Sequence, residues 1–182
     1  MEQRIQQPLT ADQRRRARDL QRRWCALRLS KLNPARESPV PQQPFVLVVD
    51  QSAGDRSISL GLATPESFRR MLQEALRDHP DCLVVVKVHP DVIRGRARGH
   101  FRRKDLQHPR IRICADGMHP AGLLEQAQAV YVVTSQMGFE ALLWGRTVHC
   151  FGMPFYAGWG LTRDCLPAPL RRGCLLYTSP SP

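Results

Sequence analysis

Four polar segments, each placed where an apolar run ends, carry the residue types that handle phosphates and sugars. The run Phe45-Val-Leu-Val-Val49 passes into Asp50-Gln51-Ser52-Ala53-Gly54-Asp55-Arg56-Ser57. The run at 83–88 passes into Lys87-Val88-His89-Pro90-Asp91, and that at 129–133 into Thr134-Ser135-Gln136-Met137-Gly138-Phe139-Glu140-Ala141. A last run, 147–151, leads into Phe151-Gly152-Met153-Pro154-Phe155-Tyr156-Ala157-Gly158-Trp159-Gly160. Thr134 and Ser135 precede a helical pattern whose first amides would be unpaired and partly positive, a natural phosphate site. Gly138 would let a ligand approach the backbone. Glu140 lies one turn below Gln136 on the same face and can accept two hydrogen bonds from a ribose diol. Taken alone, Ser135 is equally a plain helix cap and Glu140 a surface residue.

Lys87 and His89 stand two apart on a strand pattern and so share a face. His89 can donate to a phosphate oxygen. The dipeptides His79-Pro80 and His119-Pro120 show that His-Pro alone means little, but His89 ends a strongly apolar run. Asp50 and Asp55 are carboxylates suited to act as nucleophile or base at an anomeric carbon. Asp55 after Gly54 also reads as a turn residue. No D-x-D pair occurs in the sequence, which disfavours a sugar transferase that holds its metal between two such carboxylates. No metal site and no cofactor are expected.

What must position these groups is an alternation of strands and helices. Residues 11–29 carry Ala17, Leu20, Trp24 and Leu27 at helical spacing. Residues 33–44, with Pro34, Pro39, Pro41 and Pro44, read as an extended linker. Strands are predicted at 45–49, 83–88, 111–113, 129–133 and 147–151. Helices are predicted from Thr64-Pro65, over 121–127, and from Thr134-Ser135 to Trp144, where Gly145 stops the last. Such alternation implies an α/β fold, a Rossmann-like parallel sheet with flanking helices. Ligands bind outside the carboxyl ends of its strands, where the four polar segments fall, so one shared cleft is expected.

Composition bounds the function. Hydrophobic residues make up 42% and charged residues 24% of 182, an ordinary globular balance. No window reaches the ~18 apolar residues of a membrane span, and the first residues lack a signal-peptide pattern, so the expected location is the cytoplasm. Net charge is +11; of 27 basic residues, Lys31, Lys87 and Lys104 are lysines and 24 are arginines. That skew fits a GC-rich genome, or a partner bearing phosphate or carboxylate, or an anionic membrane surface. The six cysteines form no C-x-x-C pair, and Cys82, Cys114 and Cys150 read as small buried hydrophobes. Residues 174–182, CLLYTSPSP, match a translated transposase sequencing adapter and are expected to be non-native and to pack against nothing. The expected organisation is an N-terminal helix and Pro-rich linker (1–44), a truncated nucleotide-sugar-binding domain (45–173) and this adapter tail (174–182).

Taken together and in order, VLVVDQSAGDRSI, VVVKVHPDV, VYVVTSQMGFEAL and FGMPFYAGWGLTRD resemble the capsule polysaccharide β-Kdo transferase family (KpsC-like), over residues 30–172. The resemblance implies the donor-binding half of a GT-B-type glycosyltransferase module. Such enzymes transfer Kdo, an eight-carbon acidic sugar, from CMP-Kdo with retention, building the β-Kdo linker between capsule polysaccharide and a lysophosphatidylglycerol lipid. By motif, His89 and Ser135 would bind the CMP phosphate, with Lys87, Thr134 and Gly138 beside them, and Glu140 the ribose. Asp50 or Asp55 would act at the anomeric centre, and Tyr156 and Trp159 would wall the pocket or pack as an aromatic loop. Arg56, Arg94 or Arg96 would meet the Kdo carboxylate. Implied partners are CMP-Kdo, a lysophosphatidylglycerol-linked Kdo acceptor, the missing acceptor-binding half, and the cytoplasmic face of the inner membrane as a peripheral surface. The alternatives are a non-catalytic capsule assembly or export component and a basic nucleic-acid-binding module. No recognised nucleic-acid motif supports the last, so no nucleic acid is expected.

Overall fold

The computed structural model describes residues 8–31, 33, 37, 39–89, 92, 94–114 and 119–167. The 174–182 tail, with its expected lack of packing, lies outside them, as do Pro90 and Asp91. Helix α1 is Ala11–Ala26, β1 Phe45–Val49, α2 Arg56–Leu60, α3 Pro65–Asp78 and β2 Leu83–Lys87. A 3₁₀ turn at Arg103–Leu106 leads to β3 Ile111–Cys114. Then follow α4 Ala121–Gln126, β4 Ala129–Val132, α5 Gln136–Leu143, β5 Thr147–Cys150 and β6 Arg163–Asp164. The expected parallel sheet is present: its order is β3-β2-β1-β4-β5-β6, and every pairing is parallel. Three described elements go beyond the sequence reading: the short helix α2 inside the DQSAGDRS segment, the 3₁₀ turn and the two-residue strand β6.

β1 and β4 are wholly buried, as strands covered on both faces must be. Alternate residues serve opposite layers. Val46 and Val48 join Phe68, Met71, Leu72 and Ala75 of α3. Phe45, Leu47 and Val49 join Leu123 and Leu124 of α4 and Ala141 of α5. Val85 belongs to this second layer, so by period two Lys87 at the end of β2 points to the α5 side.

The strand order places a topological switch point between β1 and β4, because the chain leaves β1 in one direction through β2 and β3 and returns on its other side. The crevice above that point is where open α/β sheets bind ligands. Among the described residues, no helix is long and apolar enough to cross a membrane.

The helix facing the crevice is fixed from beneath. The Tyr156 hydroxyl donates to the Ser135 carbonyl, and the ring is buried at 4% exposure. It fills the space that Gly138 leaves: a Cβ there would run into the hydroxyl, and would lie 2.8 Å from Tyr156 Cζ and 2.9 Å from Val132 Cγ2. Gly138→Ala should therefore destabilise the fold by about 1–3 kcal/mol through overpacking. In urea unfolding, Gly138→Ala/Tyr156→Phe should recover part of that loss, since the hydroxyl is the first atom met. Unchanged stability in the single variant would contradict this packing.

Candidate functional site

A cleft of about 400 Å³ opens over the switch point, lined from β1 by Asp50, Gln51, Asp55 and Ser57, from β2 by Lys87 and His89, and from β4 by Thr134, Ser135 and Glu140. The expected convergence of three strand ends on one cleft is what the sheet produces. Its floor is a hydrogen-bonded bridge between β1 and β4. Gln51, only 4% exposed, accepts from Thr134 N (2.9 Å) and donates to Thr134 Oγ1 (3.0 Å) and Asp55 Oδ2 (3.2 Å). Ser57 Oγ lies 3.0 Å from Thr134 Oγ1. Gln51 was legible only as part of a polar run; its role arises from a partner 83 positions away.

Above this floor, α5 presents its first turn. Ser135 Oγ accepts from Met137 N at 3.3 Å, and Gln136 and Met137 line the cleft, so the positive end of an eight-residue helix faces it. Glu140 is 3% exposed. One of its oxygens, Oε1, accepts from the Lys31 amide at 3.2 Å. The other, Oε2, is buried and accepts no hydrogen bond from the described residues. A buried carboxylate on a residue that lines the cleft suits a sugar hydroxyl. Lys87 is also buried, and loss of water pushes its ammonium below the ordinary lysine value, with the nearby Cys114 opposing.

The two aspartates differ. Asp50 is 4% exposed; Oδ1 accepts from the amides of Gln51 (2.9 Å) and His100 (3.1 Å), and Oδ2 abuts Gly99, where a Cβ would collide with it. Burial pushes its carboxyl from 3.8 up to about 6, against those two amide bonds. Asp55 is exposed and caps α2, accepting from Ser57 N at 2.9 Å. Burial would raise it too, but hydrogen bonds from Ser57 and Gln51 and the charge of Lys31 outweigh that and hold it below its ordinary value.

Three of these positions lie away from the cleft lining, Tyr156 and Trp159 in the packed-loop alternative. Gly138 does not line the cleft; its missing Cβ makes room for Tyr156 rather than for a ligand. Tyr156 packs beneath α5, and Trp159 turns its indole N–H to the Phe155 carbonyl at 2.9 Å. The aromatic wall is Phe155, 63% exposed. Ser30 and Lys31, from the segment after α1, complete the lining and carry no motif that would have placed them there. Arg56, Arg94 and Arg96 are not among the lining residues.

Comparison with known proteins places the chain in a family and matches its fold. Residues 1–173 match the family described as capsule polysaccharide biosynthesis protein. The chain is 42% identical over 139 residues to the capsule polysaccharide modification protein LipA of Neisseria meningitidis serogroup B, covering 76% of this chain and 19% of that one. It is 37% identical over 166 residues to the lipopolysaccharide-processing protein LpsZ of Rhizobium meliloti, covering 86% and 36%. The solved β Kdo 2,4 transferase KpsC of Thermosulfurimonas dismutans superposes with a TM-score of 0.80 at 40% identity, over 87% of this chain and 50% of that one. The β Kdo 2,7 transferase KpsC of the same organism gives 0.59 at 30%, over 85% and 47%. The chain thus spans between 19% and 36% of these curated relatives and about half of the solved chains. With its sheet, its cleft residues and nearly its whole length inside the match, this chain belongs to the capsule polysaccharide biosynthesis protein family.

Proposed function

We propose that this chain is the donor-binding half of a GT-B-type transferase module that moves Kdo from CMP-Kdo, with retention, onto a growing β-Kdo linker of capsular polysaccharide. The observation that carries this reading is the pairing, in one cleft, of a helix N-terminus with a buried carboxylate oxygen that no described residue bonds. The first suits the CMP phosphate at Ser135 and Gln136, with His89 and Lys87 beside it. The second, Glu140 Oε2, suits a ribose hydroxyl. The greater likeness to the β Kdo 2,4 transferase than to the 2,7 transferase supports the 2,4 linkage.

The chemistry follows from the groups present. As the bond between the anomeric carbon and the phosphate oxygen breaks, its electron pair leaves with CMP, whose charge is stabilised by the α5 amides and His89. Retention by two displacements needs a carboxylate that is ionised and reachable. Asp55 meets both conditions: it is exposed at the cleft and held below its ordinary pKa. Asp50 is shielded by Gly99, and its part is to hold the segment around His100. In this reading Asp55 forms the glycosyl ester, and an acceptor hydroxyl then displaces it. The acceptor, a lysophosphatidylglycerol-linked Kdo, would be held by the other half of the parent protein at the cytoplasmic face of the inner membrane, with no cofactor required.

The test is Kdo transfer by the complete parent protein with chelator present, alongside CMP titration. Asp55→Asn should lose at least about 10³-fold in turnover with CMP affinity changed by less than about threefold. Glu140→Gln should weaken CMP binding by about tenfold, the loss of one charge-assisted hydrogen bond. Loss of activity on chelation, or full activity of Asp55→Asn, would overturn the mechanism.

Asp50 gives a separate prediction on stability. Its folded-state pKa is raised, so the folded protein holds that proton more tightly than the unfolded chain does. Its destabilising contribution is absent near pH 4, grows as pH rises to about 6, and is complete above that. Asp50→Asn should therefore stabilise the chain by about 1–3 kcal/mol at pH 7.5, and the gain should vanish as pH falls towards 4. Denaturant melts at both pH values decide it; an equal effect at both would refute the burial argument.

A further inference from the structure

The cations of the cleft are lysines in a chain that otherwise uses arginine. Three of 27 basic residues are lysines, and two of these, Lys31 and Lys87, line the cleft, whereas no arginine among the described residues does. In a chain this rich in arginine, these two positions carry a compact ammonium. The difference is physical: a guanidinium is a planar fork that grips two oxygens at once, whereas an ammonium on a flexible stem can follow one oxygen as it moves.

Lys87 is buried at 4% exposure in the floor. Lys31 is exposed and stands at the side. Its backbone N–H is tied to Glu140 Oε1, and it lines the same cleft as Asp55, the N-cap of α2. The segment carrying it is held by neighbouring contacts. Arg28 pairs with Glu37 and with Glu125 (2.7 Å) and lies 5.7 Å over the Trp144 ring, and Ser30 N donates to Asn33 Oδ1 at 2.7 Å. Lys31 therefore lies between the group proposed to take the ribose and the group proposed to attack the sugar. On the donor-site reading the sugar would lie there, and its acidic group is the anion left unmatched once the α5 amides take the phosphate.

Resting on the donor-site reading above, we propose that Lys31 recognises the carboxylate of the donor's acidic sugar and so sets the preference of the cleft for an acidic sugar nucleotide. Lys31 is a binding and specificity residue here, contributed from outside the strand ends that form the rest of the site.

The experiment titrates this chain with CMP and, separately, with freshly prepared CMP-Kdo. The unaltered chain should bind CMP-Kdo about tenfold more tightly than CMP. Lys31→Ala should erase that difference while changing CMP affinity by less than about twofold, and Lys31→Glu should make CMP-Kdo the weaker ligand of the two. Because the side chain is exposed, both variants should melt within about 2 °C of the parent. Retention of the tenfold preference in Lys31→Ala would overturn the assignment, as would an equal loss for both ligands; in either case the cleft would stand as a CMP site. No preference for CMP-Kdo in the unaltered chain would also overturn it. Failure of the unaltered chain to bind even CMP would instead overturn the reading of the cleft on which the proposal rests.

Discussion

Where β1 and β4 part at the switch point, the sheet leaves backbone groups that no neighbouring strand can pair, and a buried crevice must satisfy them from elsewhere. The Gln51 side chain does so. Its carbonyl takes the Thr134 amide, and its amide group reaches the Thr134 hydroxyl and the Asp55 carboxylate. One neutral side chain thereby fixes the spacing of two strand ends, the cap of α2 and the entry to α5. An unpaired amide in such a place costs about 1–3 kcal/mol, so the bridge is a condition for the crevice to exist with a defined shape.

Once the floor is fixed, the cleft gathers ionisable groups that the interior disfavours. Asp50, Lys87 and Glu140 are each at most 4% exposed, and each is held by a different means. Asp50 relies on two backbone amides and still sits high; Lys87 is pushed down by loss of water; Glu140 has one oxygen bonded and one that no described residue bonds. A fold selected for stability alone would replace such groups with apolar ones. Their concentration on one edge of the sheet, with apolar layers filling both faces, separates the part of the sequence that makes the domain from the part that makes the site.

That separation explains what could be read from the sequence. Phe45-Val-Leu-Val-Val49 is buried on both faces, and its five apolar residues bounded by Pro44 and Asp50 leave no other reading. Helix α5 was legible from Ser135 at its start and Gly145, in left-handed backbone at φ 68°, beyond its end. Helix α2 was not: five residues with one buried side chain, Ile58, make no periodicity. Strand β6 is two residues long and exists by pairing with β5. Lys87, His89, Ser135 and Glu140 follow strand ends and so were placed by topology. Phe155 in place of Tyr156 depends on the path of an irregular loop, and Lys31 on the docking of a distant helix, neither of which leaves a local pattern.

Helix α1 bears on how the protein can be divided. By composition the chain breaks at the proline-rich stretch before Phe45, and the sheet begins there. The packing runs across that break: Gln21 and Cys25 bond to the Leu143 carbonyl at the end of α5, and Lys31 bonds to Glu140. A piece beginning at the first strand would keep every strand and lose one wall of its pocket. Modular exchange between relatives, whether by recombination or in the laboratory, would therefore have to carry α1 with the sheet to transfer the complete pocket lining.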